Sequence, residues 1–132
     1  MTQNPAHHIL AVDDSRMMLR LIRGAIETLG YEPLEAANGK VALEVLAQHS
    51  ADVALILMDW NMPQMNGLET LRALKCEPNF AHIPVMMVTT ESEKQAVVEA
   101  IRAGAIHYLT KPFSQQDLVL RMMECLGRGL EL

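Results

Sequence analysis

Apolar residues fall into two patterns along this chain: short unbroken runs, and longer stretches in which they recur three and four positions apart. The first pattern marks buried strands and the second amphipathic helices. Ile9–Val12 is a short apolar run. Ser15–Leu29 follows as a helix, with Met18, Leu21, Ile22, Ala25 and Leu29 at helical spacing and Gly30 as its stop. Glu32–Ala36 reads as a second strand, which Pro33 confines to a sheet edge. Asn38 caps a helix running to about His49. Val53–Met58 is nearly all apolar, as a strand buried on both faces must be.

Beyond the Asp59–Asn66 loop, Leu68, Leu71 and Leu74 mark a helix that ends by Pro78. Pro84–Val88 is the fourth strand. Ser92-Glu93-Lys94-Gln95 has the form of a capping box and opens a helix through Val97, Val98 and Ile101, which Gly104 ends. Ile106–Leu109 is a short fifth strand, and Ser114-Gln115-Gln116-Asp117 starts the last helix with a weaker version of the same cap. Five strand-then-helix units predict an α/β fold. Right-handed crossovers then give a parallel sheet with helices on both faces.

Composition narrows the classes. At 132 residues the chain is one domain by size, and 50% hydrophobic against 20% charged residues excludes disorder. No apolar run approaches the ~20 residues that span a bilayer, and the N-terminus lacks a secretory signal, so a cytoplasmic location and no membrane partner are expected. A net charge of −5 with no basic run argues against direct nucleic-acid binding. Cys76 and Cys125 lack metal-ligand spacing and read as reduced packing residues. The ten methionines fall on helical and strand core positions and read as soft core filling. The five histidines show no ligand spacing, and His7-His8 simply precedes the first strand.

Candidate chemistry sits at the strand ends. Val12-Asp13-Asp14-Ser15, Met58-Asp59-Trp60-Asn61-Met62-Pro63, Val88-Thr89-Thr90-Glu91 and Lys111-Pro112-Phe113 each begin at or just after an apolar run. In an open parallel sheet those ends line one crevice. Dinucleotide and P-loop proteins need glycines after the first strand so that backbone amides can reach phosphate. Here Asp13-Asp14-Ser15-Arg16 stands instead, which disfavours nucleotide cradling. Crowded carboxylates need a cation, and hard oxygen ligands suit Mg²⁺. An acid–Ser pair also caps a helix with no metal at all.

Asp59 ends the most buried strand, held rigidly with its carboxylate toward the crevice. A carboxylate can attack phosphorus to give an acyl phosphate. The transfer itself needs mainly positioning and charge neutralisation. Mg²⁺ on Asp14 and Asp59, the ammonium of Lys111 and the hydroxyl of Thr89 would supply these. Taken singly, Thr89 is an ordinary strand residue and Lys111 an ordinary lysine. Their joint occurrence at strand ends carries the reading.

These residues resemble the receiver domain of two-component response regulators, most closely its CheY-like chemotaxis branch. The resemblance runs from about Ile9 to Leu126. It includes the Asp59–Pro63 run and the spacings of 30 residues from Asp59 to Thr89 and 22 from Thr89 to Lys111. It implies the flavodoxin-like strand order 2-1-3-4-5. Asp14 is then a direct Mg²⁺ ligand, Asp13 acts through water, Asp59 is both ligand and phosphoacceptor, and Asn61 gives its backbone carbonyl to the metal. Lys111 contacts the phosphoryl group, and its bond to Pro112 is cis.

The resemblance also implies a switch. A phosphoryl group adds up to about −2 charge. Thr89 turns inward to bond it, and Tyr108 follows into the space left beneath the last strand. Without the family, Tyr108 reads as a half-buried strand aromatic. Thr90 stands where a smaller Ala is usual in the chemotaxis pattern. Asn61 and Glu91 match that pattern at positions that tune loss of the phosphoryl group. The implied partners are a sensor histidine kinase or phosphotransfer protein as donor, a downstream target at the face of the last two helices and fifth strand, and a phosphatase. The chain would act only on itself, in its own phosphorylation and dephosphorylation, and is not otherwise an enzyme. Val119, Leu120 and Met123 lie beside the core stripe of Leu118, Met122 and Cys125, either as a contact face or as isolated exposed apolar residues.

Two rivals share the fold class. A haloacid-dehalogenase-like phosphatase needs a second Asp where Asn61 stands, and a cap domain. A flavodoxin-like FMN carrier needs a Ser/Thr/Gly-rich loop where the acids stand. Residues 8–127 are read as the receiver domain, 1–7 as an N-terminal extension and 128–132 as a short tail, with flexibility at Gly127-Arg128-Gly129. Because no linker follows Gly129, a chemotaxis-type single-domain regulator is expected first. A receiver cut from a larger regulator with a DNA-binding or enzymatic output domain is the alternative.

Overall fold

The computed structural model describes residues 6–127. The expected tail at 128–132, most of the Gly127–Gly129 stretch and all but the end of the 1–7 extension lie outside them. Five strands alternate with five helices: β1 (His8–Val12), α1 (Arg16–Thr28), β2 (Glu32–Ala36), α2 (Gly39–His49), β3 (Val53–Met58), α3 (Gly67–Cys76), β4 (Val85–Thr89), α4 (Lys94–Ala103), β5 (His107–Thr110) and α5 (Gln115–Cys125). The strands form one parallel sheet in the order β2-β1-β3-β4-β5. Both the expected fold class and the strand order hold.

Alternation along the strands makes two cores. Leu10 and Val12 of β1 pack with Ile56, Leu71, Met87 and Ala100 on the side covered by α2, α3 and α4. Ile9 and Ala11 pack with Ile22, Ile26, Leu57, Leu118 and Met122 under α1 and α5. Every residue of β4 is buried, and all but Ala54 of β3, because helices lie on both faces. Pro33 sits on the edge strand β2 beside Ile9, where its missing N–H costs no ladder bond.

Several local expectations change. On α1 the buried stripe is Ile22, Ala25 and Ile26, while Leu21 is 48% exposed. On α4 the buried positions are the small Ala96 and Ala100, and Val98 and Ile101 face outward. The capping box at Ser92 does not form: α4 begins at Lys94 after Glu93, with no side-chain cap. The preceding backbone is engaged elsewhere, since the Glu91 amide donates to Thr89 Oγ1 and the Glu91 carbonyl accepts from Tyr108. Tertiary contact overrides the local signal. A full capping box does form at α3, where Asn66 and Glu69 bond each other's backbone amides. Ser15, Asn38 and Ser114 cap α1, α2 and α5. Met58, Met86, Met87 and Met122 fill the core, as expected, but Met17 is 73% exposed and does not. Cys76 is exposed and so is not a packing residue. Cys125 is half-buried, its Sγ 3.9 Å from Met86 Sδ, and burial pushes its thiol up to about 11.

Candidate functional site

The site is built by backbone hydrogen bonds that continue the sheet one residue past its strand ends. Asp59 N donates to Val12 O at 3.0 Å, which sets Asp59 beside Asp13. Lys111 N donates to Thr89 O at 2.9 Å, which brings Lys111 alongside β4. The Lys111–Pro112 peptide bond is cis. Asp13, Asp59 and Thr89 are 1%, 6% and 0% exposed, while Asp14 points to solvent.

Lys111 closes the group. Its Nζ lies 2.7 Å from Asp13 Oδ2 and 3.4 Å from Asp59 Oδ2, so a single ammonium bridges two buried carboxylates. The other carboxylate oxygens take backbone donors: Ser15 N to Asp13 Oδ1 at 2.9 Å and Trp60 N to Asp59 Oδ1 at 2.8 Å. Burial raises the Asp13 carboxyl above its ordinary range, and the nearby Asp59 charge adds to this; the Lys111 and Ser15 hydrogen bonds oppose it.

Oxygens of Asp13, Asp14 and Asp59 all lie within 4.8 Å of one another. Three carboxylates against one ammonium leave a negative site, and an all-oxygen donor set of this kind fits Mg²⁺. Asn61 is exposed, two residues beyond Asp59. Thr90 is exposed and Glu91 half-buried, and Glu91 and Trp60 line a shallow cleft with the start of α4.

Two features near the site, a row of arginines and a glycine, escape the sequence reading. Arg16, Arg20 and Arg23 of α1 line a cleft of about 490 Å³ together with Asp13 and Asp14. Arg23 is held to Glu35 at 3.0 Å. Their spacing of four and three residues was the available signal. Gly67 is the other: a Cβ there would lie 2.1 Å from the Asp59 carbonyl oxygen, so only glycine lets α3 begin against the Asp59–Trp60 backbone. Nothing in the sequence revealed that approach.

Residues 9–123 match the response regulator receiver domain family. The chain belongs to that family. This receiver is 40% identical over 122 residues to a chemotaxis protein CheY homolog of Campylobacter jejuni, covering 92% of this chain and 93% of the relative. It is 42% identical over 120 residues to the chemotaxis protein CheY1 of Helicobacter pylori, at 90% and 96% coverage. The solved chemotaxis response regulator CheY4 of Vibrio cholerae superposes with a TM-score of 0.83 at 33% identity, covering 93% of this chain and 100% of that one. No helix among the described residues is long and apolar enough to cross a membrane.

From the receiver's acidic site, a chain of contacts leads to the opposite side of β4. Thr89 Oγ1 accepts from Glu91 N at 3.2 Å, and the Glu91 carbonyl accepts from the Tyr108 hydroxyl at 2.6 Å. Tyr108 is half-buried and packs against the core beneath α4. Burial, with help from the Glu91 and Asp59 charges, pushes its phenol up to about 12.

Proposed function

We propose that this receiver is a phosphorylation-activated switch of the chemotaxis type, with Asp59 as phosphoacceptor. The observation that carries this reading is the buried Lys111 ammonium shared between Asp13 and Asp59. An ordinary stabilising ion pair needs one carboxylate. A second one held on the same lysine, with a third nearby, leaves an excess of negative charge that a bound cation would balance.

Asp14 and Asp59, with the Asn61 backbone carbonyl, would hold Mg²⁺ directly, and Asp13 would act through water. When bound, the ion neutralises the oxygens of the phosphoryl group in flight. Asp59 Oδ attacks phosphorus, the P–N bond to the donor's phosphohistidine breaks, and the imidazole leaves with that electron pair. Lys111 follows the new charge and balances one phosphoryl oxygen. Thr89 donates its hydroxyl to another. Arg16 and Arg20 on the rim add positive potential along the approach of the donor.

Signalling follows from the same contacts. When the Thr89 side chain turns toward the phosphoryl group, Glu91 N loses its acceptor and the loop holding Tyr108 is released to move. Phosphorylation thus biases an equilibrium already present in the fold. The outward Val98 and Ile101 of α4 and Ile106 before β5 lie on the side read as the target face, with α5 beyond. Donor kinase or phosphotransfer protein, target and phosphatase are all protein partners in a cytoplasmic setting. Asn61, Thr90 and Glu91, at the mouth, set how quickly the phosphoryl group is lost. The chemotaxis type is supported by relatives covered almost end to end.

The test is to follow Trp60 fluorescence on adding Mg²⁺ and then acetyl phosphate, with intact mass in parallel. The expected result is a Mg²⁺-dependent change and an added phosphoryl group, both absent in Asp59→Asn. Labelling that persists in Asp59→Asn would move the acceptor elsewhere. No labelling of the wild type would leave a receiver fold without the chemistry.

A further inference from the structure

At the opposite end of β1 from the acidic site, the fold gathers histidines that are far apart in sequence. His8 opens β1, His49 closes α2 and Asp52 lies just before β3, and one ligand atom from each falls within 4.8 Å of the other two. The His8 and His49 ring centroids are 5.5 Å apart. The reading of the histidines as lacking ligand spacing fails here, because a parallel sheet brings together residues that no sequence window contains.

The backbone fixes this cluster. Asp52 N donates to His49 O at 2.8 Å, and Asp52 O accepts from His8 N at 2.9 Å. The carriers of all three side chains are therefore tied through one residue. His8 Nε2 lies 3.4 Å from Glu32 Oε1, and a ring proton carried on Nε2 would face that carboxylate. Its Nδ1 then carries a lone pair. That atom is buried and is the single buried side-chain nitrogen or oxygen among the described residues without a hydrogen-bond partner. A buried acceptor with nothing to accept is costly. A carboxylate behind an imidazole whose other nitrogen is unengaged is the arrangement that orients histidine toward a metal.

We propose that His8, His49 and Asp52 bind a borderline divalent transition metal, of which Zn²⁺ is the type, with Glu32 orienting His8 from behind. Two imidazoles and a carboxylate are Zn²⁺ ligands rather than Mg²⁺ ligands. Tetrahedral closure requires ligand atoms roughly 3.4 Å apart, which side-chain torsions reach from the present spacing. A water molecule would complete the coordination. The ion clips the α2–β3 turn to the start of β1, and the donor sets keep it apart chemically from the hard-oxygen site at the other end of the strand.

The test is calorimetric titration of the untagged full chain with ZnCl₂ in excess Mg²⁺, with Co²⁺ absorption reporting geometry. One equivalent should bind, unmoved by Mg²⁺, with a tetrahedral Co²⁺ spectrum. His49→Gln and Asp52→Asn should each weaken binding by about tenfold or more, and the exposed His82→Gln should leave it unchanged. Circular dichroism checks that the variants fold. In the wild type, Zn²⁺ should shift the His8 and His49 ring resonances selectively. Failure to saturate, binding indifferent to His49→Gln, or binding lost in Asp14→Asn would each overturn the proposal, the last by placing the ion on the acidic cluster.

Discussion

Tyr108 donates its hydroxyl to the Glu91 carbonyl at 2.6 Å, and this one bond ties β5 to the loop after β4. Because Glu91 N bonds Thr89 at 3.2 Å, the tyrosine is linked through Thr89 to the acidic site without touching it. The same burial explains why its phenol resists ionisation.

Titrating tyrosinate absorbance should therefore resolve Tyr108 late, at about 12, and Tyr108→Phe should remove that late step. The sign follows from proton counts. Between the ordinary phenol value of 10.0 and about 12, the unfolded chain has lost the proton that the folded chain keeps. Stability therefore falls as pH rises through that window. A Tyr108 that ionises at the ordinary value would show that its hydroxyl is not buried beside Glu91 in solution.

Removing Lys111 leaves two buried carboxylates without their ammonium. Lys111→Ala should lower unfolding stability by about 2–4 kcal/mol in urea melts without metal. Added Mg²⁺ should stabilise this variant more than the wild type, since the ion supplies the missing positive charge. Some phosphorylation should remain, while the Tyr108 response is lost.

Asp13→Asn relieves the crowding from the other side, leaving Lys111 with Asp59 alone. The melting temperature should rise by a few degrees, about what 1 kcal/mol gives in a domain of this size. Mg²⁺ affinity should fall. A variant that loses stability would mean that the Lys111–Asp13 pair is worth more than the repulsion it balances.

Gly67→Ala places a methyl 2.1 Å from the Asp59 carbonyl oxygen, a backbone atom that cannot swing away. The expected cost is about 1–3 kcal/mol. Asp59 labelling by acetyl phosphate should slow beyond what the lost stability explains, because the shift falls on the strand end that carries Asp59. Wild-type rates in Gly67→Ala would show that the loop absorbs the methyl.

The order of elements was legible because β3 and β4 carry unbroken apolar runs and the helices carry apolar residues three and four apart, and both patterns are local. Asp13, Asp14, Asp59, Thr89 and Lys111 stood out because each follows such a run, and parallel strands must end together. What the helices present was less legible. Leu21 and Ile26 lie on different sides of α1, and only the sheet beneath decides that Ile26 is buried while Leu21 stays exposed. Likewise α4 rests on Ala96 and Ala100, which no hydrophobic pattern ranks above Val98 and Ile101.

Local chemistry along the chain thus determined the strand and helix sequence and the residues at the crevice. Tertiary structure alone decided which groups meet. Lys111 reaches Asp13 from 98 positions away, Gly67 closes on Asp59, and His8 meets His49 and Asp52 across the base of the sheet. The physical reason is that hydrophobic periodicity is set by neighbours in sequence, whereas charge pairing, close backbone approach and metal-ligand geometry are set by distances that exist only once the sheet has formed.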